Sequence, residues 1–395
     1  MDDKKRRRFP TGNPISVLIT LLILANIVLG FLLYREHLYA RRIYRQLTAL
    51  DKNFEALDSY LARKDCENGQ LLLAKIQGDL TGLLSRPSIF EKLRAGKQPA
   101  KVKSASKSPR PPDFRPDTRR IPASFILAPE GTYLLFCEKK NRTLSLYKSA
   151  SQTFSLVKTY QAVIGKNNHD KSKAGDLATP EGAYFITRFI PDKDLPEQYG
   201  GGAFTLSYPN FWDVKNGRSG QGIWVHGHNP VKTFAEIENT RGCIVVSNED
   251  LNEIAEFIKP GTTPIAIVDE ITYLDPVCQK ELAGQLSAFL DSWKKAWESL
   301  DNQKYFAFYS PAEFANKDGM DFAKFKKFKE RVNAGKKFVK LNLANTVILT
   351  FQKAGQEIAF VQFDQEYKSN NLNAAGRKTL YLKKFQQKWL IIGEI

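Results

Sequence analysis

Hydrophobic positions change their spacing several times along the chain, and each change marks a new segment. The first segment is residues 15–34, an uncharged run of 20 residues that are mostly Ile, Leu and Val. A helix of about 20 apolar residues can cross a hydrocarbon core of roughly 30 Å. A cleaved signal peptide would have a shorter apolar region followed by a small-residue cleavage site. The pattern therefore predicts an uncleaved transmembrane helix at residues 15–34.

The charges that flank this helix set its expected orientation. Residues 1–14 contain the basic run from Lys4 to Arg8, and basic flanks stay preferentially in the cytoplasm. We therefore expect a cytoplasmic tail and a single-pass membrane protein. The rest of the chain is expected on the opposite side of the membrane.

Residues 35–95 have a helical pattern. Apolar side chains recur there at three- to five-residue steps with charges between them: Leu38, Ile43, Leu47, Leu50, Phe54, Leu57 and Leu61. Two interpretations remain open, a solvated stalk and a hairpin that forms a homodimer or binds another partner. Residues 96–120 then contain five prolines and eight Lys or Arg against two Asp, which predicts an extended linker.

Residues 121–271 contain short β-type runs with turn residues between them. The clearest runs are 133–136, 143–147, 154–157 and 162–164. Residues 272–395 begin with a helix and a basic aromatic stretch, and then give strands near 347–351, 357–363, 378–385 and 389–392. The predicted fold class is α+β: a transmembrane helix and helical stalk, a mainly-β domain, and a C-terminal α+β cone. Phe322, Phe325 and Phe328, spaced at three-residue steps, are expected in the core of the cone.

Charge and cysteine content narrow the classes of partner. A net charge of +17 and a pI near 9.5 favour nucleic acid, an anionic membrane or an acidic polymer. Nucleic acid is excluded on compartment if the chain is exported. The four cysteines show no CxxC spacing, so a zinc knuckle is not indicated, and a disulfide among Cys66, Cys137 and Cys278 is left open.

Candidate chemistry concentrates in residues 223–251. An apolar run delivers His226 into a His-Gly turn, and Thr240-Arg241-Gly242-Cys243 opens onto a second apolar run. A cysteine in a tight glycine turn is approachable, lies close to backbone N–H donors, and can be activated by a nearby imidazole. A metal site of His226, His228 and Cys243 would have three ligands and an open position, but no other residue supports it. We expect neither a metal nor a cofactor.

The pattern His-Gly…Thr-Arg-Gly-Cys-Ile, with His226 and Cys243 17 positions apart, resembles the YkuD-type L,D-transpeptidase signature. Two further elements resemble this family, the Thr-Pro-Glu-Gly run at residues 179–182 and the Leu-Ser-Tyr-Pro-Asn run at residues 206–210. A helix beginning near Asn248, with Asn248 as its N-cap, is expected after the nucleophile. The resemblance implies a mainly-β catalytic domain at residues 121–271.

The resemblance also implies roles for individual residues. Cys243 would be the nucleophile and His226 its base, held together as a thiolate–imidazolium pair. The carbonyl of Gly227 would orient His226. The N–H groups of Gly242 and Cys243 would form an oxyanion hole, a contribution of about 3–4 kcal/mol per donor. The substrate implied is a peptidoglycan tetrapeptide stem, which would lose its terminal D-Ala to form an acyl-enzyme.

Two departures affect the substrate site. The family commonly has Arg two residues after the cysteine, where this chain has Val245. Arg241 or Arg218 would then bind the substrate carboxylate, beside Thr240 and His228. His228 is also a competing base, because residues i and i+2 of a strand share a face.

The C-terminal segment, residues 272–395, resembles a SnoaL-like (nuclear-transport-factor-like) cone. A YkuD-type domain joined to such a cone resembles the L,D-carboxypeptidases that trim tetrapeptide stems and shape helical cells. Three hypotheses follow. The preferred one is a membrane-anchored L,D-transpeptidase, the second is an L,D-carboxypeptidase with the same nucleophile, and the third is a non-catalytic scaffold that binds the cell wall.

Overall fold

The computed structural model describes residues 121–353 and 355–395, together with Lys52, Asn53 and Lys75, which are helical. The described residues from Ile121 onward belong to one compact unit. The predicted transmembrane helix and linker, and the predicted stalk apart from those three residues, lie outside the described residues. Within the part of the chain that is described, no helix is long and apolar enough to cross a membrane.

The first half of the unit is built mainly from strands. The strands are β1 (Ile121–Pro122), β2 (Phe125–Leu127), β3 (Tyr133–Glu138), β4 (Thr143–Ala150), β5 (Thr153–Gln161), β6 (Gly182–Ile190), β7 (Ala203–Leu206), β8 (Trp224–His226), β9 (Ile244–Val245), β10 (Pro264–Val268) and β11 (Tyr273–Leu274). The helices are α1 (Phe211–Lys215) and α2 (Asn248–Ala255), with 3₁₀ turns at Asp192–Asp194, Glu197–Tyr199 and Phe234–Glu236. Eight of these strands form one sheet in the order β5-β4-β3-β10-β6-β7-β8-β9.

The second half contains three helices and a long antiparallel sheet. Its elements are α3 (Pro276–Glu298), α4 (Asn302–Phe306), β12 (Ala315–Asn316), α5 (Phe322–Ala334), β13 (Val339–Lys353), β14 (Gln356–Ser369), β15 (Asn373–Phe385) and β16 (Lys388–Glu394). The six-stranded sheet has the order β12-β16-β15-β14-β13-β2. β2 therefore belongs to this sheet, although its residues precede the eight-stranded sheet in sequence.

In the interior of the eight-stranded sheet, β3 and β10 are buried on both faces. In β3, Leu135 and Cys137 point into a core that also contains residues of α2. Leu134 and Phe136 point to the opposite face, into a core shared with β13, β14 and β15 of the six-stranded sheet. Because successive strand residues face opposite sides, an unbroken apolar run such as Tyr133–Phe136 is what two-sided burial requires. The two halves are thus joined through a common hydrophobic core.

The structure differs from the sequence prediction in several elements. β13 and β14 begin or end well beyond the predicted strands, and residues 162–164 make only an isolated bridge, Val163 with Val245. The N-cap of α2 is Ser247, whose Oγ accepts a 3.0 Å hydrogen bond from Asp250 N, and Asn248 is the first residue inside the helix. In α5, Phe325 is buried but Phe328 is 38% exposed, so the core prediction was wrong for Phe328.

Candidate active site

Two adjacent parallel strands carry the predicted base and nucleophile. β8 ends at His226, and β9 begins directly after Cys243. The strands pair with Val225 opposite Ile244 and His226 opposite Val245. This register brings the His-Gly turn and the Thr-Arg-Gly-Cys turn to neighbouring strand ends, although 17 positions separate the two residues in sequence.

The ring of His226 is buried and its tautomer is defined by one hydrogen bond. Nδ1 lies 2.6 Å from the carbonyl oxygen of Gly227. A carbonyl can only accept, so Nδ1 carries the proton, and Nε2 of the neutral ring is left with a free lone pair. The ring of Tyr199 packs edge-on against it at 4.8 Å. Burial lowers the pKa of His226 to about 4, while the Gly227 carbonyl acts in the opposite direction.

The thiol of Cys243 is partly exposed and donates a 3.4 Å hydrogen bond to the carbonyl of Gly222. Burial raises the pKa of the Cys243 thiol, against smaller opposing effects of the Trp224 backbone N–H and the Lys171 charge. Burial raises the pKa of the Cys243 thiol and lowers that of the His226 imidazole, so both effects oppose the thiolate–imidazolium form that the resemblance implies.

The turn that precedes the nucleophile is closed by its own hydrogen bonds. The hydroxyl of Thr240 donates to the Cys243 carbonyl at 2.7 Å and accepts from the Gly242 N–H at 3.0 Å. Gly242 has a φ of +126°, and a Cβ at this position would lie 2.7 Å from the carbonyl oxygen of Ala178. Only glycine is therefore compatible with this backbone.

These bonds change two of the predicted roles. The Gly242 N–H, expected in the oxyanion hole, is already used by Thr240, and Thr240, expected to bind substrate, has its hydroxyl engaged within the turn. The Cys243 N–H, in contrast, has no hydrogen-bond acceptor among the residues that the structure describes. The oxyanion donor that this geometry offers is Cys243 N–H.

Thr179, in the Thr-Pro-Glu-Gly element, is hydrogen-bonded to the turn that precedes Cys243. Its buried hydroxyl donates to the carbonyl of Gly242 at 3.0 Å and accepts from Gly165 N–H at 2.9 Å. The element thus has a structural connection to the nucleophile turn, one residue away from Cys243.

His228 does not lie on the strand face of His226, because β8 ends at His226. Its Nδ1–H donates to the carbonyl of Asn229 at 3.0 Å, and its ring packs against Phe234. The i, i+2 argument for His228 as a second base was therefore wrong.

Asn248 is a residue that the sequence interpretation missed. Its Oδ1 accepts from His228 N–H at 3.0 Å and from Gly201 N–H at 3.3 Å, and its Nδ2 donates to the carbonyl of His228 at 2.9 Å. A Cβ on Gly227 would collide with this amide oxygen. Asn248 therefore clamps the turn that follows His226. An Asn near a helix start was the available signal, and it was assigned to capping.

The two candidate arginines have different environments. Arg218 forms an ion pair with Asp170 and donates to the carbonyl of Lys171 at 2.8 Å, so its guanidinium is committed within the protein. Arg241 is exposed, in the nucleophile turn. Val245 is a buried residue of β9, so an arginine at this position would have to be accommodated in the core.

Cys137 is a free and fully buried thiol, so it takes no part in the disulfide that the sequence left open. Among the described residues, no group of three or more His, Cys, Asp or Glu side chains is placed to hold a metal ion.

The comparisons with known proteins agree with this architecture. Residues 132–267 match the family model of the L,D-transpeptidase catalytic domain, YkuD, and residues 285–395 match the Cds6 C-terminal NTF2-like domain. Bd1075 of Bdellovibrio bacteriovorus is 29% identical with a TM-score of 0.60, over 70% of this chain and 97% of that chain. The helical cell shape determining protein Pgp2 of Campylobacter jejuni is 25% identical with a TM-score of 0.60, over 70% and 95%. The search of curated proteins gave no match.

His226 at the end of β8 and Cys243 directly before β9 thus lie at neighbouring ends of paired parallel strands. The chain carries a region that matches the YkuD L,D-transpeptidase catalytic domain, followed by a region that matches the Cds6 C-terminal NTF2-like domain.

Proposed function

We propose that the chain is a peptidoglycan L,D-carboxypeptidase, which removes the terminal D-Ala from tetrapeptide stems by way of a Cys243 acyl-enzyme. The observation that carries the acyl-transfer chemistry is the tautomer of His226, fixed by Gly227 so that Nε2 can accept a proton. We favour water as the acceptor because a YkuD-type domain joined to an NTF2-like cone resembles the L,D-carboxypeptidases that shape helical cells. In agreement with this, the chain covers 95% of a helical cell shape determining protein.

The proposed reaction begins with the Cys243 thiol and the His226 imidazole both neutral. His226 Nε2 takes the thiol proton as Cys243 Sγ attacks the carbonyl of the third stem residue, and the resulting oxyanion accepts from the Cys243 N–H. The imidazolium then protonates the departing amine of D-Ala, which leaves a thioester. His226 next deprotonates a water that attacks this thioester, and the proton returns to the sulfur as the tripeptide leaves. Arg241, exposed in the same turn, is our proposed contact for the substrate carboxylate.

Transpeptidation is the second candidate, because the matching catalytic-domain family is itself named for it. The two activities share the acyl-enzyme and differ in the acceptor, which is water in one and the amine of a second stem in the other. A non-catalytic scaffold would form no acyl-enzyme at all.

One experiment separates these functions. Purified full-length protein is incubated with disaccharide-tetrapeptide, and the products are identified by mass spectrometry. We expect the disaccharide-tripeptide and free D-Ala. A crosslinked dimer would instead support transpeptidation, and no turnover by the wild type would exclude both reactions. Cys243→Ala should abolish turnover and Cys137→Ala, which removes the buried free thiol, should retain it; the reverse result would overturn the nucleophile assignment.

We further propose that residues 15–34 anchor the enzyme in the inner membrane with the catalytic domain in the periplasm, a proposal that rests on the uncharged 20-residue run. Fractionation should place the full chain in the membrane. Externally added protease should cleave it in spheroplasts but not in intact cells. Recovery in the soluble fraction would contradict the anchor.

A further inference from the structure

Lys353 links the NTF2-like domain to the catalytic domain through buried ion pairs. It is the last residue of β13, and its Nζ contacts the carboxylate of Asp170 and lies 3.7 Å from Glu181 Oε2. Its side chain is only 13% exposed, and both carboxylates are largely buried. A buried charge without a partner is costly, so Lys353 and the two carboxylates must stay together. The ion pairs therefore restrict the positions of the loops that carry Asp170 and Glu181.

The first connection to the nucleophile passes through Glu181. Glu181 belongs to the Thr-Pro-Glu-Gly element, two residues after Thr179, and its other partner is the fully buried Lys139 at 2.7 Å. Thr179 in turn donates to the carbonyl of Gly242, the residue before Cys243. The position of Glu181 therefore bears on the position of the nucleophile turn through a proline-stiffened segment.

The second connection passes through Asp170. Its carboxylate binds Lys353 and Arg218 together, and its Oδ1 accepts from Glu181 N–H at 2.8 Å, which joins the two connections. The next residue is Lys171, a buried lysine paired with Asp176 at 2.7 Å. The charge of Lys171 favours the thiolate of Cys243. Displacing Asp170 would displace this charge.

We propose that Lys353 is a positioning residue for Cys243, and that the NTF2-like domain thereby completes the active site of the catalytic domain. This inference rests on the proposed function, because it concerns the same nucleophile. The placement of one lysine on β13 makes the turnover of the catalytic domain depend on docking of the NTF2-like domain.

The test compares two lysines of equal burial in the full-length protein. Lys353→Met should lower kcat by roughly 10- to 100-fold with little change in KM, because a misplacement of about 1 Å can cost about 100-fold. Lys353→Arg keeps the charge and should recover most of the activity. The matched control is Lys384→Met. Lys384 is also 13% exposed and lies 3.4 Å from Glu357, a carboxylate within the NTF2-like sheet.

A second readout requires no substrate. The rate at which iodoacetamide alkylates Cys243, followed by mass spectrometry as a function of pH, reports the pKa of the thiol. Lys353→Met should raise this apparent pKa relative to wild type, and Lys384→Met should not. If wild type shows no turnover, the proposed function fails while the alkylation comparison still tests Lys353.

Three outcomes would overturn the inference. The first is a Lys353→Met variant with the kcat and alkylation profile of wild type. The second is an equal loss in Lys353→Met and Lys384→Met, which would indicate general destabilisation. The third is a Lys353→Arg variant as impaired as Lys353→Met, which would show that the charge does not act.

Discussion

Nδ1 of His226 carries the proton that it donates to the Gly227 carbonyl. Burial lowers the pKa of the ring to about 4, so the ring is neutral above that pH. A general base works only in its neutral form, so activity should be lost only when the ring is protonated. We expect kcat/KM to rise through about pH 4 and to stay level towards neutrality, because kcat/KM reports the pKa values of the free enzyme. A pH profile with disaccharide-tetrapeptide checks this.

An acidic limb at pH 6.5, the ordinary pKa of histidine, would contradict the burial argument. The reactivity of the free thiol supplies an independent control. In a neutral pair, Cys243 should be alkylated slowly at pH 6, and its rate should rise only in the alkaline range. In a thiolate–imidazolium pair it would already react rapidly at pH 6.

At the residue scale, the sequence was sufficient to predict which residues form the two turns of the site. It was not sufficient to predict the hydrogen-bond or ion-pair partner of each group. The His-Gly and Thr-Arg-Gly-Cys turns depend on residues next to one another, so the sequence was sufficient to identify them. The use of the Gly242 N–H by Thr240, and the ion pair of Arg218 with Asp170, depend on loop geometry and on distant segments. Protonation states depend on burial, which is a property of the folded chain.

At the scale of elements, the start of α2 combines two tasks in consecutive residues. Ser247 caps the helix, whereas Asn248 clamps the backbone after His226. Ser247→Ala should cost about 1 kcal/mol of unfolding free energy and leave kcat unchanged. Asn248→Ala should lower kcat by roughly 10- to 100-fold, because the His-Gly turn loses its support. Urea unfolding and steady-state kinetics on both variants measure this contrast.

Equal effects of the two substitutions on kcat would contradict a specific role of Asn248 in holding the turn after His226, because both residues lie at the same helix end. The sequence predicted this helix but assigned the N-cap to Asn248, whereas the N-cap is Ser247. Asn and Ser are both favoured N-caps, and sequence does not show which of two neighbours leaves the helical conformation.

Strand bounds were predicted less completely than the existence of the strands. β13 begins at Val339, and apolar residues already alternate with polar ones in the run Val339–Leu343, although the strand was predicted only near 347–351. Its first half carries exposed Lys340 and Asn342, and it is held by pairing with β14 along the whole hairpin. Because the buried residues Val339 and Leu341 alternate with these exposed residues, this half has the period-2 pattern of a half-buried strand.

At the scale of the molecule, the sequence divided the chain at about residue 271 and gave no indication of how far the two parts share a core. Phe360 on β14 shows the reason. Its ring packs against Phe185 of the catalytic sheet at 5.4 Å and against Tyr381 of its own sheet at 5.2 Å. An apolar strand face predicts that something covers it, but the covering surface is not encoded locally.

The shared core predicts that the two domains unfold together. Phe360→Ala should lower the unfolding free energy of both by about 3–5 kcal/mol, because the cavity lies between them. Phe328→Ala, at an exposed site in α5, should change it by less than about 0.5 kcal/mol. Hydrogen exchange read by mass spectrometry in peptides from β8 and from β14 gives one stability for each domain. Destabilisation of β14 with no change in β8 would show instead that the NTF2-like domain unfolds alone.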